Sequence, residues 1–131
     1  MSCTSGWHED MDYSSTITYS SKVWPDVTVK LRRVSFARRS ELTRILAPMA
    51  ARMNALMSSK SEADVAAAGI LRREMANALL DWGLVDVSGL FIDGVAATKQ
   101  LLLQEGPEEL TLEILARLHQ QISLSEEERK N

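Results

Sequence analysis

The residues best suited to chemistry lie at the start of the chain. Four side chains there could bind a metal ion, namely His8, Glu9, Asp10 and Asp12. Cys3, the single cysteine, could act as a nucleophile if a base lay beside it in a structured pocket. A metal site needs ligands held in fixed geometry, but this segment is polar and has no hydrophobic period. We therefore expect solvated side chains here, with no metal, no cofactor and no catalytic residue.

A basic cluster follows between positions 30 and 39. Its members are Lys30, Arg32, Arg33, Arg38 and Arg39. Such a cluster can be a solvated face, a docking patch for an acidic protein surface, or a phosphate-binding surface. Only Phe36 supplies an aromatic ring among these residues, and the formal net charge of the chain is −3. Nucleic-acid binding needs a net basic footprint, so the charge balance disfavours the third interpretation.

Three methionines recur at helical spacing, and a tryptophan follows in the next helical segment. Met49, Met53 and Met57 could form an adaptable peptide-binding face, although methionines at this spacing also fill ordinary cores. Trp82 could anchor an interface or pack in the core. The candidate partner-binding residues are these four together with Arg32, Arg33, Arg38 and Arg39.

A β-hairpin is predicted at positions 16–34, after a flexible, polar arm at 1–15. Val27, Val29 and Leu31 alternate with polar residues, which indicates a half-buried strand. Ile17 and Tyr19 suggest its partner, with a turn at Trp24-Pro25-Asp26. Because a lone hairpin is only marginally stable, it must pack on the helices or pair with strands of another subunit.

Two long helices are predicted next. Ser35 can cap a helix that begins at Phe36, and Pro48 should kink or split it. Its apolar face comprises Phe36, Leu42, Ile45, Leu46, Met49, Met53, Leu56 and Met57. Ser61 and Asp64 resemble a capping box for a second helix that ends near Trp82, with Gly83 as its C-cap. The buried stripe of that helix comprises Val65, Leu71, Met75, Leu79 and Trp82.

The last third of the chain is punctuated by turn and cap signals. A short extended piece is predicted at 85–92, followed by a turn at Asp93-Gly94. Thr98 can cap a short helix that Gly106 ends, and Pro107 can start a final helix at its first position. The apolar stripe of that helix comprises Leu110, Ile114, Leu115, Leu118 and Ile122. Ser125 with Glu128 forms a second capping-box pattern that would add one more turn.

The composition is that of an ordinary globular domain, with 45% hydrophobic and 25% charged residues. No apolar run approaches the roughly 20 residues of a membrane helix, and no secretory signal pattern is visible. The glycines match no phosphate-binding loop. We expect a soluble, intracellular, mainly α protein: one small domain of about four helices with an N-terminal β-hairpin, spanning 16–131.

The order of several motifs resembles that of the small tail assembly chaperones of long-tailed bacteriophages and prophages. The motifs are Lys22-Val23-Trp24-Pro25-Asp26-Val27-Thr28 before Val34-Ser35-Phe36, then Trp82-Gly83-Leu84, Ser88-Gly89-Leu90 and Ile92-Asp93-Gly94, then Ala97-Thr98 with Gly106-Pro107-Glu108-Glu109-Leu110, and the segment 125–131. The chain departs from the family pattern at Trp24, where a smaller residue is more usual, and in its polar arm.

The resemblance implies a non-enzymatic factor that binds the tape-measure protein and tail-tube protein in the bacterial host cytoplasm. It implies that the protein self-associates, keeps its clients soluble until the tube polymerises, and is absent from the mature virion. One alternative is a structural tail or head–tail connector subunit that stays in the particle. Another is a small helical DNA-binding regulator, which the few basic residues of the helix at 61–82 disfavour.

Overall fold

The computed structural model describes the backbone of residues 11–130 and the side chains up to Ser123. Its elements, in chain order, are β1 (Thr16–Ser20), β2 (Thr28–Arg32), α1 (Phe36–Met57), α2 (Glu62–Gly83), β3 (Leu84–Ser88), β4 (Phe91–Ile92), β5 (Val95–Ala96), α3 (Lys99–Glu105) and α4 (Glu108–Lys130). The predicted class, mainly α with a β-hairpin near the start, is confirmed. The first ten residues of the predicted arm lie outside the described residues.

An antiparallel sheet in the order β1-β2-β3 forms one side of the molecule. The alternation in β2 buries Val29 and Leu31 while Lys30 stays exposed, as predicted. Val29 pairs with Tyr19 of β1 on one side and with Val87 of β3 on the other. The predicted hairpin is therefore confirmed, and β3 of the same chain supplies its neighbouring strand.

The segment after β3 contains two turns in which a glycine has a positive φ. Gly89 has φ +84°, and a Cβ there would lie 2.2 Å from the carbonyl oxygen of Asp26, so only glycine fits this close approach. Asp93 and Gly94 have φ values of 51° and 79°. They form the predicted turn, which joins β4 to β5 in the geometry that favours a tight hairpin.

Three N-cap predictions are confirmed by hydrogen bonds to side-chain oxygens. The N–H of Arg38 donates to Ser35 Oγ at 3.1 Å, that of Asp64 to Ser61 Oγ at 3.1 Å, and that of Leu101 to Thr98 Oγ1 at 3.2 Å. Each bond satisfies an amide that the first helical turn leaves free. The N–H of Ser61 donates to Ser59 Oγ at 3.2 Å, so the reciprocal bond of a capping box is not made by Asp64.

Four local predictions at helix positions need correction. Helix α1 continues through Pro48, so the helix is not split, because its packing along α2 outweighs the lost backbone bond. Gly83 is the last residue of α2, and Leu84 is the cap, with its N–H bonded to Leu80 O. Pro107 precedes the first helical residue of α4. Helix α4 runs on to Lys130, so Ser125 lies inside a helix, where no free amide awaits a cap.

Gly83 has a tertiary reason for being glycine. A Cβ at this position would lie 2.5 Å from Cδ2 of Leu118, which is buried on α4. The missing side chain therefore lets the last turn of α2 approach α4 closely. The predicted stripe of α4 is confirmed, because Leu110, Ile114 and Leu118 are fully buried.

The core has two parts of very different size. The main cluster joins the sheet, α3, α4 and the adjoining ends of α1 and α2; we call this region the body. The other buries only Met53, Ala68 and Leu71, where the far ends of α1 and α2 meet; we call residues 49–75 the tip. The chain thus forms a packed body from which a helical hairpin projects.

Some residues predicted to be core are exposed. The exposed fractions are 88% for Phe36, 64% for Met57 and 62% for Val65. The helical period placed them on an apolar face, but within the described part of the chain no element covers that face at these points. Only Leu42 and Met53 of the predicted α1 face are fully buried.

Candidate functional site

The predicted partner-binding residues fall in two groups. The arginines, at the junction of β2 and α1, and Trp82, at the inner end of α2, lie close enough for Arg32 to bond the Trp82 carbonyl. The methionines lie along the outer half of α1, so the structure does not bring all eight residues together into one surface.

A cleft of about 340 Å³ lies at the β2–α1 junction. Its lining residues are Tyr13, Ser15, Arg32, Arg33, Ser35 and Arg38. Arg32 Nε donates to the Trp82 carbonyl at 3.0 Å, close to the negative end of the α2 dipole. Arg38 Nη1 bonds both carboxylate oxygens of Glu41, at 3.0 and 3.2 Å. Two of the predicted docking arginines thus already have internal partners.

The other two arginines also have contacts within the chain. The Arg33 guanidinium lies over the Tyr13 ring, 5.4 Å from its centre. Arg39 Nη2 donates to the carbonyl of Ile122 at 3.3 Å and so joins α1 to α4. The basic cluster therefore helps to hold the sheet and helices together. Docking of an acidic protein there stays a prediction.

The methionines and Trp82 differ in burial. Met53 is 9% exposed and belongs to the small tip core, Met49 packs beside it, and Met57 is at the surface. Trp82 is 5% exposed and packs in the main core, as its alternative interpretation predicted. Its indole Nε1 has no hydrogen-bond partner among the described residues. Of these four residues, only Met57 offers a largely exposed apolar side chain.

A groove of about 320 Å³ runs between α2 and α4, and sequence reasoning missed it. We call it the α2–α4 groove; its lining residues are Gly69, Arg72, Arg73, Ala76, Asn77, Leu80, Glu108, Thr111, Leu112 and Leu115. Gly69 and Ala76 are two helical turns apart, so both lie on one face of α2. A Cβ at Gly69 would meet no atom within 4 Å. The available signal was a glycine inside a helical pattern.

The groove combines apolar and charged side chains. Leu112 is 56% exposed and Leu115 is half-buried, so α4 contributes an apolar wall. Arg72, Arg73 and Glu108 are exposed charged residues of the lining. Small residues on one side and leucines on the other suit the close approach of a helix with an apolar face.

A partly buried group of hydrogen bonds around Glu113 has a structural role. Glu113 accepts hydrogen bonds from Ser21 Oγ at 2.6 Å and from the N–H of Lys22 at 2.8 Å. Ser21, 3% exposed, in turn accepts from the N–H of Trp24 at 2.9 Å. The two bonds to Glu113 fasten the β1–β2 loop to α4, and sequence reasoning did not foresee them because they join residues 91 and 92 positions apart.

Tyr19 is the residue whose acidity is most clearly changed. Burial raises the pKa of Tyr19 to about 12, and the negative charge of Glu113 acts in the same direction. The Arg117 guanidinium, 4.0 Å from the centre of the Tyr19 ring, opposes the rise in pKa. A phenol shifted this way stays protonated at neutral pH, so it offers no general base there.

Neither a metal cluster nor a membrane-spanning helix occurs among residues 11–130. No group of three His, Cys, Asp or Glu side chains there could hold a metal ion. No helix in that part of the chain is long and apolar enough to cross a membrane. Cys3, His8, Glu9 and Asp10 lie outside the described residues, and Asp12 is exposed. Comparison of the chain with protein-family models, curated proteins and solved structures finds no match.

Proposed function

We propose that this protein is a non-enzymatic assembly chaperone of a phage or prophage tail, and that its α2–α4 groove accepts a helical segment of the tape-measure protein. The order of motifs in the sequence suggests the family. The observation that carries the proposal is the groove itself, with small residues on α2 facing exposed leucines on α4. Tail-tube protein is the second client that the resemblance implies.

The chemistry of the groove matches a long helical client. A tape-measure protein is a long helical chain, and an amphipathic helix binds by laying its apolar face in a groove. Gly69 and Ala76 would allow its backbone to come close, while Leu112 would contact its apolar side chains. Arg72 and Arg73 would pair with acidic residues that flank the apolar face of the client.

Co-expression with the tape-measure gene from the same tail gene cluster, followed by affinity capture in mild salt, tests the function. We expect a stable complex, and the variant Gly69→Leu should weaken it at least tenfold by filling the groove. A Cβ at position 69 meets no atom within 4 Å, so the added side chain starts in open space, and circular dichroism checks that the variant folds. Absence of any complex between the wild-type proteins would reject the function.

Two matched variants isolate the groove from general effects on α2. Gly69→Ala keeps the side chain small and should bind like the wild type. Ala63→Leu places the same leucine side chain at an exposed position of α2 that is not part of the groove lining. If Gly69→Leu and Ala63→Leu bind the client equally well, another surface holds it.

A structural tail or connector subunit is the competing function. Mass spectrometry of purified particles separates the two, because a chaperone leaves before the particle is complete and a structural subunit stays. Stoichiometric recovery of this chain in intact particles would favour the structural role.

A further inference from the structure

Within residues 11–130, no strand pairs with the outer edge of β1. Its bonds to β2 use the odd-numbered residues, as shown by Arg33 N–H to Ser15 O and Ser21 N–H to Val27 O, both at 2.9 Å. In an antiparallel pair the alternate residues point their N–H and C=O groups the other way. Thr16, Thr18 and Ser20 therefore direct their backbone groups away from the sheet.

Of these residues, only Thr16 has local compensation within the described part of the chain. Ser14 Oγ donates to the Thr16 carbonyl at 2.9 Å and accepts from its N–H at 3.3 Å. No comparable bond occurs there for the outward groups of Thr18 and Ser20. Edge strands are usually protected by a charge, a proline or a bulge. The segment 13–21 has no charge and no proline, and its pairing with β2 is regular.

An apolar cleft opens beside the same edge. It has a volume of about 180 Å³ and is lined by Ile17, Tyr19, Leu31, Arg117, Gln120 and Gln121. Ile17 is 37% exposed although it lies on the face of β1 that turns towards α4. A strand added to β1 would place its own inward side chains over this cleft, because side chains of paired residues share a face.

We propose that β1 pairs antiparallel with β1 of a second copy of this chain, about a two-fold axis at Thr18. The strand is complementary to itself in this register: Thr16 faces Ser20, Ile17 faces Tyr19, and Thr18 faces Thr18 of the second copy. Two aromatic–β-branched pairs form on the inner face, and hydroxyl pairs form on the outer face. The three-stranded sheets of the two copies become one continuous sheet of six strands.

The composition of the edge favours a second copy as its occupant. Self-pairing brings like residues together, and a charged strand would repel itself, whereas the segment 13–21 is neutral. Two-fold symmetric dimers are also the commonest closed homo-oligomers. The interface is small, one strand and one cleft from each copy, so we expect a dissociation constant of roughly micromolar order. This inference is independent of the tail-assembly proposal.

The test uses the full chain with Cys3→Ser, so that no disulfide joins the native cysteines. Analytical ultracentrifugation at about 1–200 µM, a range set by that expected affinity, should show a monomer–dimer equilibrium. Thr18→Pro should abolish the dimer, because proline removes an outward N–H and spares every bond to β2. Thr18→Val keeps the donor and should leave the dimer intact. Circular dichroism checks that both variants fold.

Disulfide cross-linking provides a second test of the dimer interface that does not depend on the proline variant. Hydrogen-bonded antiparallel partners have Cα atoms about 5.5 Å apart, within the range of a disulfide. Thr18→Cys in the Cys3→Ser background should therefore form a covalent dimer on mild oxidation, while Thr43→Cys on the exposed side of α1 should not. A protein that is monomeric throughout, or a dimer unaffected by Thr18→Pro and not cross-linked at Thr18, would overturn the proposal.

Discussion

The body and the tip are made from the same two long helices but differ in what surrounds them. In the body, the inner ends of α1 and α2 are covered by the sheet, α3 and α4, and fifteen buried residues form one cluster. In the tip, three of the described residues are buried, where α1 and α2 pack against each other. The body therefore holds the fold, while the tip leaves apolar side chains such as Met57 and Val65 at the surface.

This difference indicates where a bound partner could change the conformation of the protein at a low cost in free energy. A region with few buried apolar contacts opens and adjusts at lower free energy than a packed core. The α2–α4 groove lies along the boundary, because Gly69 belongs to the tip and Leu115 packs against the body core. A client bound there would contact both regions.

The largest loss of stability should come from the same Leu→Ala substitution at two equally buried leucines. Leu118 of the body and Leu71 of the tip are each 1% exposed. We expect Leu118→Ala to lower the free energy of unfolding by about 4 kcal/mol and Leu71→Ala by about 2 kcal/mol, because the smaller tip core can collapse into the space. Urea denaturation measures both, and equal losses would show that the tip is packed as firmly as the body.

The contact between Leu118 and Gly83 allows a sharper version of this comparison. Gly83→Ala alone should destabilise, because its Cβ would lie 2.5 Å from Leu118 Cδ2. In the Leu118→Ala background the same methyl group enters vacated space and should recover part of the loss. The coupling free energy from the double-mutant cycle should be about 1 kcal/mol or more, and additive effects would contradict close packing of α2 on α4.

The next prediction compares Gly89, which is packed in the body, with Gly94, which lies in an open turn. Gly89 and Gly94 have similar φ values, +84° and +79°, but only Gly89 approaches another backbone atom, the Asp26 carbonyl oxygen. We expect a loss in the free energy of unfolding of about 3 kcal/mol for Gly89→Ala and about 1 kcal/mol for Gly94→Ala. Thermal and urea unfolding of both variants would show whether the close approach or the dihedral angle dominates.

Tyr19, which lies in the body, should make the stability of the protein depend on pH in the alkaline range. Its pKa is about 12 in the folded protein and close to the ordinary value of 10.0 when unfolded. Between these values the unfolded chain has lost the proton that the folded chain keeps, so the free energy of unfolding falls as pH rises from about 10 to about 12. Tyr19→Phe should show a shallower decline over that interval and the same pH dependence below it.

The smallest effect should be a gain in stability from a substitution in the tip. Gly69 lies inside α2 with a helical backbone and open space at its Cβ position. Gly69→Ala should therefore raise the free energy of unfolding by about 0.5–1 kcal/mol, since alanine loses less backbone freedom in a helix. Differential scanning calorimetry measures it. A loss of stability would mean that the groove is narrower than described.

Predictions from the sequence succeeded where the cause is local. Ser35, Ser61 and Thr98 cap helices through amides three residues away, and Asp93-Gly94 forms a two-residue loop. The hairpin also followed from its two-residue period. The predictions failed where the period was real but its partner was unknown: Phe36 and Val65 continue an apolar pattern, yet both are exposed among the described residues.

The candidate site was the least predictable part. Arginine clustering suggested a solvated face, a docking patch or a phosphate-binding surface, but it did not show that Arg32 and Arg39 bond carbonyls at positions 82 and 122, far away in the sequence. Trp82 suggested either an interface anchor or core packing, and it packs in the main core. The α2–α4 groove depends on residues some forty positions apart, such as Ala76 and Leu115, which no single helical pattern connects.

Local signals in the sequence located the helices, strands and turns, because caps, proline, glycine and hydrophobic period act over a few residues. Helix ends such as those at Gly83 and Pro107 were still misplaced by one residue. Only the tertiary structure decided which faces are covered, since burial depends on which distant segments meet. Gly83 shows the division: its place at the end of a helix is visible in the sequence, but its reason is the Leu118 side chain, thirty-five positions away. The outer β1 edge and the α2–α4 groove are likewise properties of the assembled fold.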